Sequence, residues 1–140
     1  MTVKCKLFCL AALLLLPVMA HAKVVDPSKI DEYVEELNAM CPLIYDNDWV
    51  INSVTSVGTN YELVDIEMPA VLSMFFPTLT QDADNVKQLW NRQLKHYGSK
   101  WDRLVSLAVA ADRRIVLYLH IRGSDQSAFV TFYPSDLEKK

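Results

Sequence analysis

The apolar positions of the chain follow a helical period in three places. From residue 26 to residue 40, and again from 86 to 97, apolar residues recur at intervals of three or four, which places them along one face of a helix. Pro42 ends the first of these predicted helices and Gly98 ends the second. A third helix is predicted over residues 99–111, which open on a serine that can act as the N-cap.

Two other regions have the shorter period and the composition of β-strands. Residues 49–57 and 61–67 are rich in β-branched residues and flank a Gly-Thr-Asn turn, so they predict an antiparallel hairpin. Residues 115–121 and 127–133 flank a turn that contains Gly123, and they predict a second hairpin. On the strand 61–67, acidic and apolar side chains share both faces, and the pattern therefore leaves its register open.

The predicted order of elements is therefore α-β-β-α-α-β-β, which is typical of an α+β fold. Because hairpins, and not single strands, alternate with the helices, we expect an antiparallel sheet of about four strands covered on one side by helices. After residue 22 the sequence has no internal repeat and no linker rich in glycine, proline or serine. Residues 23–140 are therefore predicted to form a single α+β domain.

The segment from Pro69 to Pro77 fits neither a central strand nor a long helix. Its two prolines interrupt both kinds of backbone hydrogen bonding, yet the apolar residues between them need cover from water. One interpretation is a loop that packs into the core, and the other is a mobile flap or a partner-binding patch. We expect a division in which one of Phe75 and Phe76 anchors the segment and the other contacts a partner or ligand.

The first 22 residues have the three-part layout of a secretory signal peptide. Two lysines precede an apolar run from Leu7 to Met19, and Ala20 and Ala22 provide the small side chains that signal peptidase requires. We predict cleavage between Ala22 and Lys23 and a periplasmic or secreted product. The alternative is an uncleaved membrane anchor, but the apolar run is shorter than the ~20 residues that span a bilayer, so no stable anchor is expected.

Removal of the leader changes both the charge and the cysteine count. The sequence has 14 basic and 17 acidic residues, and the leader contains Lys4 and Lys6, so its loss leaves 12 against 17 and a net charge of −5. This acidic balance argues against nucleic acid or an anionic membrane surface as a partner. Of the three cysteines only Cys41 stays, and a single thiol cannot form an internal disulfide in an oxidising compartment.

Several short features resemble small, uncharacterised exported bacterial proteins with a helix-on-sheet fold. These features are Cys41-Pro42 followed by Asp46, a hairpin, a pair of helices, and a closing hairpin that ends in Tyr133-Pro134-Ser135-Asp136-Leu137. The resemblance extends over most of residues 23–140 and implies a cystatin-like or similar fold. It implies no activity and no site.

No complete catalytic or metal-binding motif is found in the sequence. Cys41, with His96 or His120 and an acid such as Asp46, has the residue types of a thiol hydrolase, because an imidazole can take up the proton of a thiol. However, Cys41 lies on the apolar face of the first predicted helix, where cysteine usually packs as a small hydrophobic residue, so no catalytic residue is assigned. The histidines could join Asp46 or Asp48 at a metal ion, but their spacing does not require it, and neither a metal nor a cofactor is predicted.

The aromatic residues of irregular segments are the remaining candidates for binding. Trp49, Phe75 and Phe76 lie in or beside such segments, which adapt to partners more readily than packed helices, so they are the predicted contacts. We expect an exported, soluble interaction or small-ligand-binding module, whose partner is a protein or a small apolar ligand. The alternative is a small envelope hydrolase with a nonstandard site. A hydrolase would show titratable side chains converging in one cleft, whereas a binding module would show an apolar patch or an exposed strand edge.

Overall fold

The computed structural model describes residues 27–45, 48–96 and 98–138. The predicted signal peptide, its cleavage site and Asp46 lie outside these residues. In the described part of the chain, no helix combines the length and the apolar character needed to cross a membrane. The elements are α1 (Pro27–Met40), β1 (Leu43–Ile44), β2 (Val50–Val57), β3 (Tyr61–Met68), a 3-10 helix (Ala70–Phe75), α2 (Phe76–Leu79), α3 (Asp84–Lys95), α4 (Ser99–Ala110), β4 (Arg114–Ile121), β5 (Ser127–Phe132) and α5 (Pro134–Leu137).

The strands form one mixed sheet in the order β1-β2-β3-β4-β5. Both predicted hairpins are present as the antiparallel pairs β2–β3 and β4–β5, but β3 and β4 lie parallel to each other. The expectation of about four antiparallel strands is therefore wrong in number and in direction. The connection between β3 and β4 passes through the 3-10 helix and three α-helices, and a connection of this length returns the chain to the end of the sheet where β3 began. The two-residue strand β1 is too short to leave a periodic signal.

The α+β class is as predicted, and the three predicted helices correspond to α1, α3 and α4. Their apolar faces cover one face of the sheet, which we call the inner face. Trp90 of α3, Leu104 of α4 and Ile30 of α1 are buried there against alternate residues of β3 and β4. The strand residues of this core are Val64, Ile66, Met68, Ile115, Leu117, Leu119 and Ile121.

A buried charged cluster interrupts the inner face at the end of the sheet where β3 and β4 begin. Glu62 of β3 is fully buried, and its Oε1 lies 2.7 Å from Nε of the buried Arg113, off the direction needed for a hydrogen bond. The Ser56 hydroxyl donates to the second carboxylate oxygen of Glu62 at 2.5 Å. Arg113 also donates to Asp31 of α1 at 3.1 Å and to the backbone oxygen of Gly58 at 3.0 Å. The cluster therefore joins α1, the β2–β3 turn and the starts of β3 and β4.

The titration of the Glu62 carboxyl group is affected by this burial. Loss of water raises the pKa of Glu62, and the hydrogen bond from Ser56 and the charge of Arg113 oppose that rise without cancelling it. The burial of Glu62 also explains why the sequence of β3 shows no fully apolar face. A buried carboxylate occupies an inner-face position that would otherwise be apolar.

Candidate binding groove

An open groove of about 600 Å³ lies between the 3-10 helix, α3 and the residues that precede β2. Its polar lining consists of Asp48 and Gln93. Its apolar lining comes from all three segments and consists of Trp49, Val71, Leu72, Leu79, Leu89 and Trp90, together with the ring of Pro69. The groove therefore has the mostly apolar lining and few polar groups that are typical of small-ligand sites.

Two buried aromatic residues fix the elements around the groove, and one of them, Trp90, forms its floor. Phe76 is only 5% exposed and packs in the core at the start of α2. The indole N–H of Trp90 donates to the backbone oxygen of Leu79 at 2.7 Å, and the hydroxyl of Thr80 donates to the backbone oxygen of Phe76 at 2.9 Å. Because these bonds satisfy polar groups near the core, the floor is preformed and does not need a ligand to order it.

The 3-10 helix is held in place against the turn between β4 and β5. The hydroxyl of Ser73 donates to the side-chain oxygen of Gln126 at 2.5 Å, and the side-chain nitrogen of Gln126 donates back to the backbone oxygen of Ser73 at 3.3 Å. This pair of hydrogen bonds links Ala70–Phe75 to the far hairpin. The segment therefore has a defined position although its prolines exclude it from the sheet.

Large apolar side chains are exposed on the two elements that border the groove, the 3-10 helix and α3, and we call Val71, Met74, Phe75 and Leu89 the apolar rim. Val71 is 76% exposed, and Met74 and Leu89 are exposed as well. In a 3-10 helix residues three apart share a face, so Val71 and Met74 point to the same side. Four such residues on two neighbouring segments form an apolar patch, which is the kind of surface that marks binding sites.

The structure places the three predicted contact residues differently. Trp49 lines the groove, with its ring edge-on to that of Trp90 at a centroid distance of 5.1 Å. Phe75 is 57% exposed on the apolar rim, and Phe76 is the buried anchor. The division between the two phenylalanines is the one expected from the sequence. Direct contact of Trp49, Phe75 or Phe76 with a ligand or partner stays a prediction.

Sequence reasoning missed several groove residues, and Leu89 is the most informative of them. In the predicted helix over residues 86–97, Leu89 and Trp90 are consecutive apolar residues. Consecutive positions point in directions about 100° apart on a helix, so both cannot face the centre of the core. In the structure Trp90 is buried and Leu89 is exposed. The two consecutive apolar residues make the apolar stripe of this helix wider than one core contact needs, and that width was the sequence signal for an exposed apolar residue.

One edge of the groove carries negative charge. The backbone of Asp48 has a positive φ of 60°, and its carbonyl oxygen accepts a hydrogen bond from Arg122 at 3.2 Å. Arg122 is also paired with Glu67 at 2.9 Å. These contacts fix the backbone beside Trp49 and keep the Asp48 side chain exposed at the groove.

Two residues of a possible thiol hydrolase, Cys41 and His120, do not converge. The thiol of Cys41 donates to the backbone oxygen of Leu37 at 3.3 Å, and burial raises the pKa of Cys41, which disfavours the reactive thiolate. Cys41 packs on the helical side of the sheet. His120 lies on the opposite face, where it bonds to Asp65 at 2.5 Å and stacks on Tyr118. The sheet therefore separates this thiol from this imidazole.

Metal-binding geometry is also not seen in the described ranges. Within residues 27–45, 48–96 and 98–138, no three side chains of histidine, cysteine, aspartate or glutamate come together as ligands for an ion.

Comparison with known proteins gives a likeness at the level of the fold. No protein-family model matches the sequence. No curated protein matches it either. The structure is similar to the crystal structure of a Pseudomonas aeruginosa protein described as "a putative secreted protein", with a TM-score of 0.55 and 12% sequence identity, over 80% of this chain and 92% of that one. At this identity the likeness concerns the fold alone.

Proposed function

We propose that the protein is an exported, soluble binding module whose groove takes a small apolar ligand. The observation that carries this proposal is the combination of a preformed apolar floor at Trp90 with an exposed apolar rim. The groove volume of about 600 Å³ falls within the range of roughly 300–1,000 Å³ that is usual for small-molecule sites. A protein partner at the same place is the alternative occupant.

Export is supported by the N-terminal segment and by the structural neighbour. Residues 1–22 have the layout of a signal peptide, and we propose that cleavage after Ala22 releases residues 23–140 as the working domain. The similar Pseudomonas aeruginosa protein is described as secreted. A periplasmic or secreted location would give the groove access to apolar molecules of the cell envelope.

The gain on binding comes from covering apolar surface that now faces water. Val71 of the 3-10 helix, Leu89 of α3 and Trp49 all line the groove, so an apolar molecule that fills it would contact all three segments. Burial of apolar surface contributes about 25 cal/mol for each Å². Because the floor is already fixed by the Trp90–Leu79 hydrogen bond, little ordering opposes this gain.

The charge at the groove favours one type of head group. Asp48 is the acidic residue of the lining, and the predicted mature chain is acidic overall. A neutral or cationic head group is therefore expected to be accepted and an anionic one to be disfavoured.

The first experiment measures binding of the neutral apolar fluorophore N-phenyl-1-naphthylamine. Val71→Asp places a charge on the wall of the groove and should weaken binding about tenfold or more, since a charge must then be buried or the site left empty. Ile44→Asp is the matched control, because Ile44 is 72% exposed, against 76% for Val71, and lies on β1 outside the groove lining. Equal affinity of the two variants, or no saturable binding to the wild type, would contradict the proposal.

A second readout uses the indole of Trp49. Displacement of the fluorophore by dodecylamine, but less well by dodecanoate, is expected from the position of Asp48. Trp49→Phe should reduce the change in tryptophan emission on binding to the part contributed by Trp90, which also lines the groove, while Trp101 of α4, buried outside the groove lining, still reports the fold. An emission change of the same size in Trp49→Phe and in the wild type would place the fluorophore elsewhere.

A further inference from the structure

The face of the sheet opposite the helices has an apolar centre. In the register of the sheet, Leu63, Val116 and Thr131 lie side by side on β3, β4 and β5. The next row contains Tyr118 and Phe129, whose rings are 5.1 Å apart. Phe129 is 62% exposed, whereas the inner-face residues of the same strands are buried. We call this surface the outer face.

The two ends of the outer face carry opposite charges. At the end where β4 begins, the guanidinium of Arg114 lies over the rings of Tyr61 and Tyr133 at 5.7 and 5.9 Å, and it has no ion pair with any residue that the structure describes. Toward the other end lie two acidic residues of β3, which are Asp65, in the row of Tyr118 and Phe129, and Glu67, in the row of His120.

The acidic end holds two carboxylates, one paired with an imidazole and one with a guanidinium. Asp65 bonds to His120 at 2.5 Å, and Glu67 pairs with the guanidinium of Arg122 at 2.9 Å. Two carboxylates therefore stand beside one guanidinium. The face as a whole has a cationic end, an apolar centre and an acidic end.

We propose that two copies of the chain pack their outer faces together about a twofold axis that lies perpendicular to the strands. This axis reverses the strand direction between the copies, so Arg114 of each copy faces the partner's Asp65 and the partner's Glu67. A twofold axis along the strands would instead place Arg114 against the partner's Arg114 and is disfavoured by repulsion. The charge pattern therefore selects one of the two possible symmetric arrangements.

A second copy suits this face better than an unrelated partner because one surface supplies both halves of the charge pattern. Such self-complementarity is what a closed twofold interface requires. Face-to-face packing of two sheets with aligned strands is a common architecture, with about 10 Å between the sheets. With few strands contributing, the contact is small by the standards of stable interfaces, so the dimer is expected to dissociate in the micromolar range, on the order of 1–100 µM.

This surface lies on the opposite side of the sheet from the groove, and Arg122, which bonds to both Glu67 and the backbone oxygen of Asp48, joins their edges. Val71 and Leu89 line the groove on the helical side, whereas Val116 and Phe129 face the other way. Loss of the dimer therefore leaves the groove and its ligand test unchanged, and a groove that binds nothing leaves the dimer test unchanged.

The experiment is sedimentation equilibrium on the chain expressed with its own N-terminal segment and purified without truncation. Arg114→Glu should weaken self-association about tenfold or more, since it creates like charges at both contacts of the twofold pair. Arg92→Glu is the matched control with the same charge change on an exposed position of α3, and it should associate like the wild type. Thermal melts of both variants show whether Arg114→Glu still folds.

A charge exchange keeps the test decisive if Arg114→Glu is destabilised. The double variant Arg114→Glu with Glu67→Arg restores opposite charges across the proposed interface and should recover association. Recovery in the double variant, with loss in each single variant, supports the arrangement. A wild-type chain that stays monomeric up to about 1 mM, or a dimer that is equally stable with Arg114→Glu and Arg92→Glu, overturns it. Pairing through the free edge of β5 would give the latter result.

Discussion

The two ends of the sheet are closed by opposite kinds of chemistry. Where β3 and β4 begin, the buried pair Glu62–Arg113 is surrounded by fixed hydrogen-bond partners. Where they end, the 3-10 helix closes the sheet with apolar residues, and several of these are exposed. Buried charges require fixed partners and tolerate little movement, whereas exposed apolar groups gain from being covered. The first end is therefore suited to holding the fold together and the second to binding.

The same comparison is available in a pair of glutamate–arginine contacts between β3 and the ends of β4. Arg113 and Glu62 are 4% and 0% exposed in their side chains, whereas Arg122 and Glu67 at the opposite end are 47% and 27% exposed. Nearly the same glutamate–arginine pair is thus buried at one end of the sheet and exposed to water at the other. The structure offers a matched test of how much each contributes to stability.

The largest effect is expected from Arg113→Met. This substitution leaves the carboxylate of Glu62 buried without its counter-ion and should lower the free energy of unfolding by about 3–5 kcal/mol. Arg122→Met at the wet end should cost about 0–1 kcal/mol, because its pair is screened by water. Urea unfolding of the two variants gives both values. Similar losses in the two variants would show that the ends do not differ in the way the geometry indicates.

The double variant Glu62→Leu with Arg113→Met sharpens this comparison. It removes both buried charges together, so it should recover most of the stability that Arg113→Met alone loses. If the double variant is the less stable of the two, the charged cluster contributes net stability through Ser56, Asp31 and Gly58 as well as through the pair itself.

The next effect concerns the two phenylalanines at the apolar end. Phe76→Ala should cost about 3 kcal/mol, because it opens a cavity under the groove, and Phe75→Ala should cost less than about 0.5 kcal/mol, because that ring is mostly in water. Thermal and urea unfolding of both variants measure the difference. Phe75→Ala is also expected to weaken binding of the apolar fluorophore. Equal losses of stability in the two variants would contradict the assignment of Phe76 as a buried anchor and of Phe75 as an exposed residue of the apolar rim.

Sequence periodicity predicted the elements at both ends better than it predicted their contacts. The helices and the two hairpins follow from local spacing, and the division between Phe75 and Phe76 follows from the need to cover an apolar segment bounded by prolines. The parallel contact between β3 and β4 was missed, because pairing between distant strands leaves no mark in local spacing. The Glu62–Arg113 pair was missed for a related reason. Its partners are 51 positions apart in the sequence, and a lone glutamate in a strand gives no sign of where its counter-ion lies.

The groove residues could also be predicted only in part from the sequence. Trp49 was found because it lies beside an irregular segment, but Leu72, Leu79 and Leu89 were not, because each is an ordinary apolar residue in its own element. Only the folded arrangement brings the 3-10 helix against α3. A groove between two elements is therefore visible in the structure and absent from either local pattern.

The smallest expected effect is the pH dependence that the charged end gives to stability. Burial raises the pKa of Glu62 in the folded state above its ordinary value of 4.5. Between the unfolded and the folded pKa, the folded chain then holds more protons than the unfolded chain, so the stability due to this group is present below pH 4.5 and is lost as the pH rises through the folded pKa. Urea unfolding from pH 4.5 to pH 7.5 should show the wild type losing stability with rising pH relative to Glu62→Gln, which cannot titrate. Ser56→Ala removes the hydrogen bond that opposes the rise of the Glu62 pKa, and it should therefore steepen the loss. A difference between the wild type and Glu62→Gln that is constant over this range would mean that the carboxyl group titrates alike in both states, and that the charge of Arg113 and the hydrogen bond from Ser56 fully offset the effect of burial on its pKa.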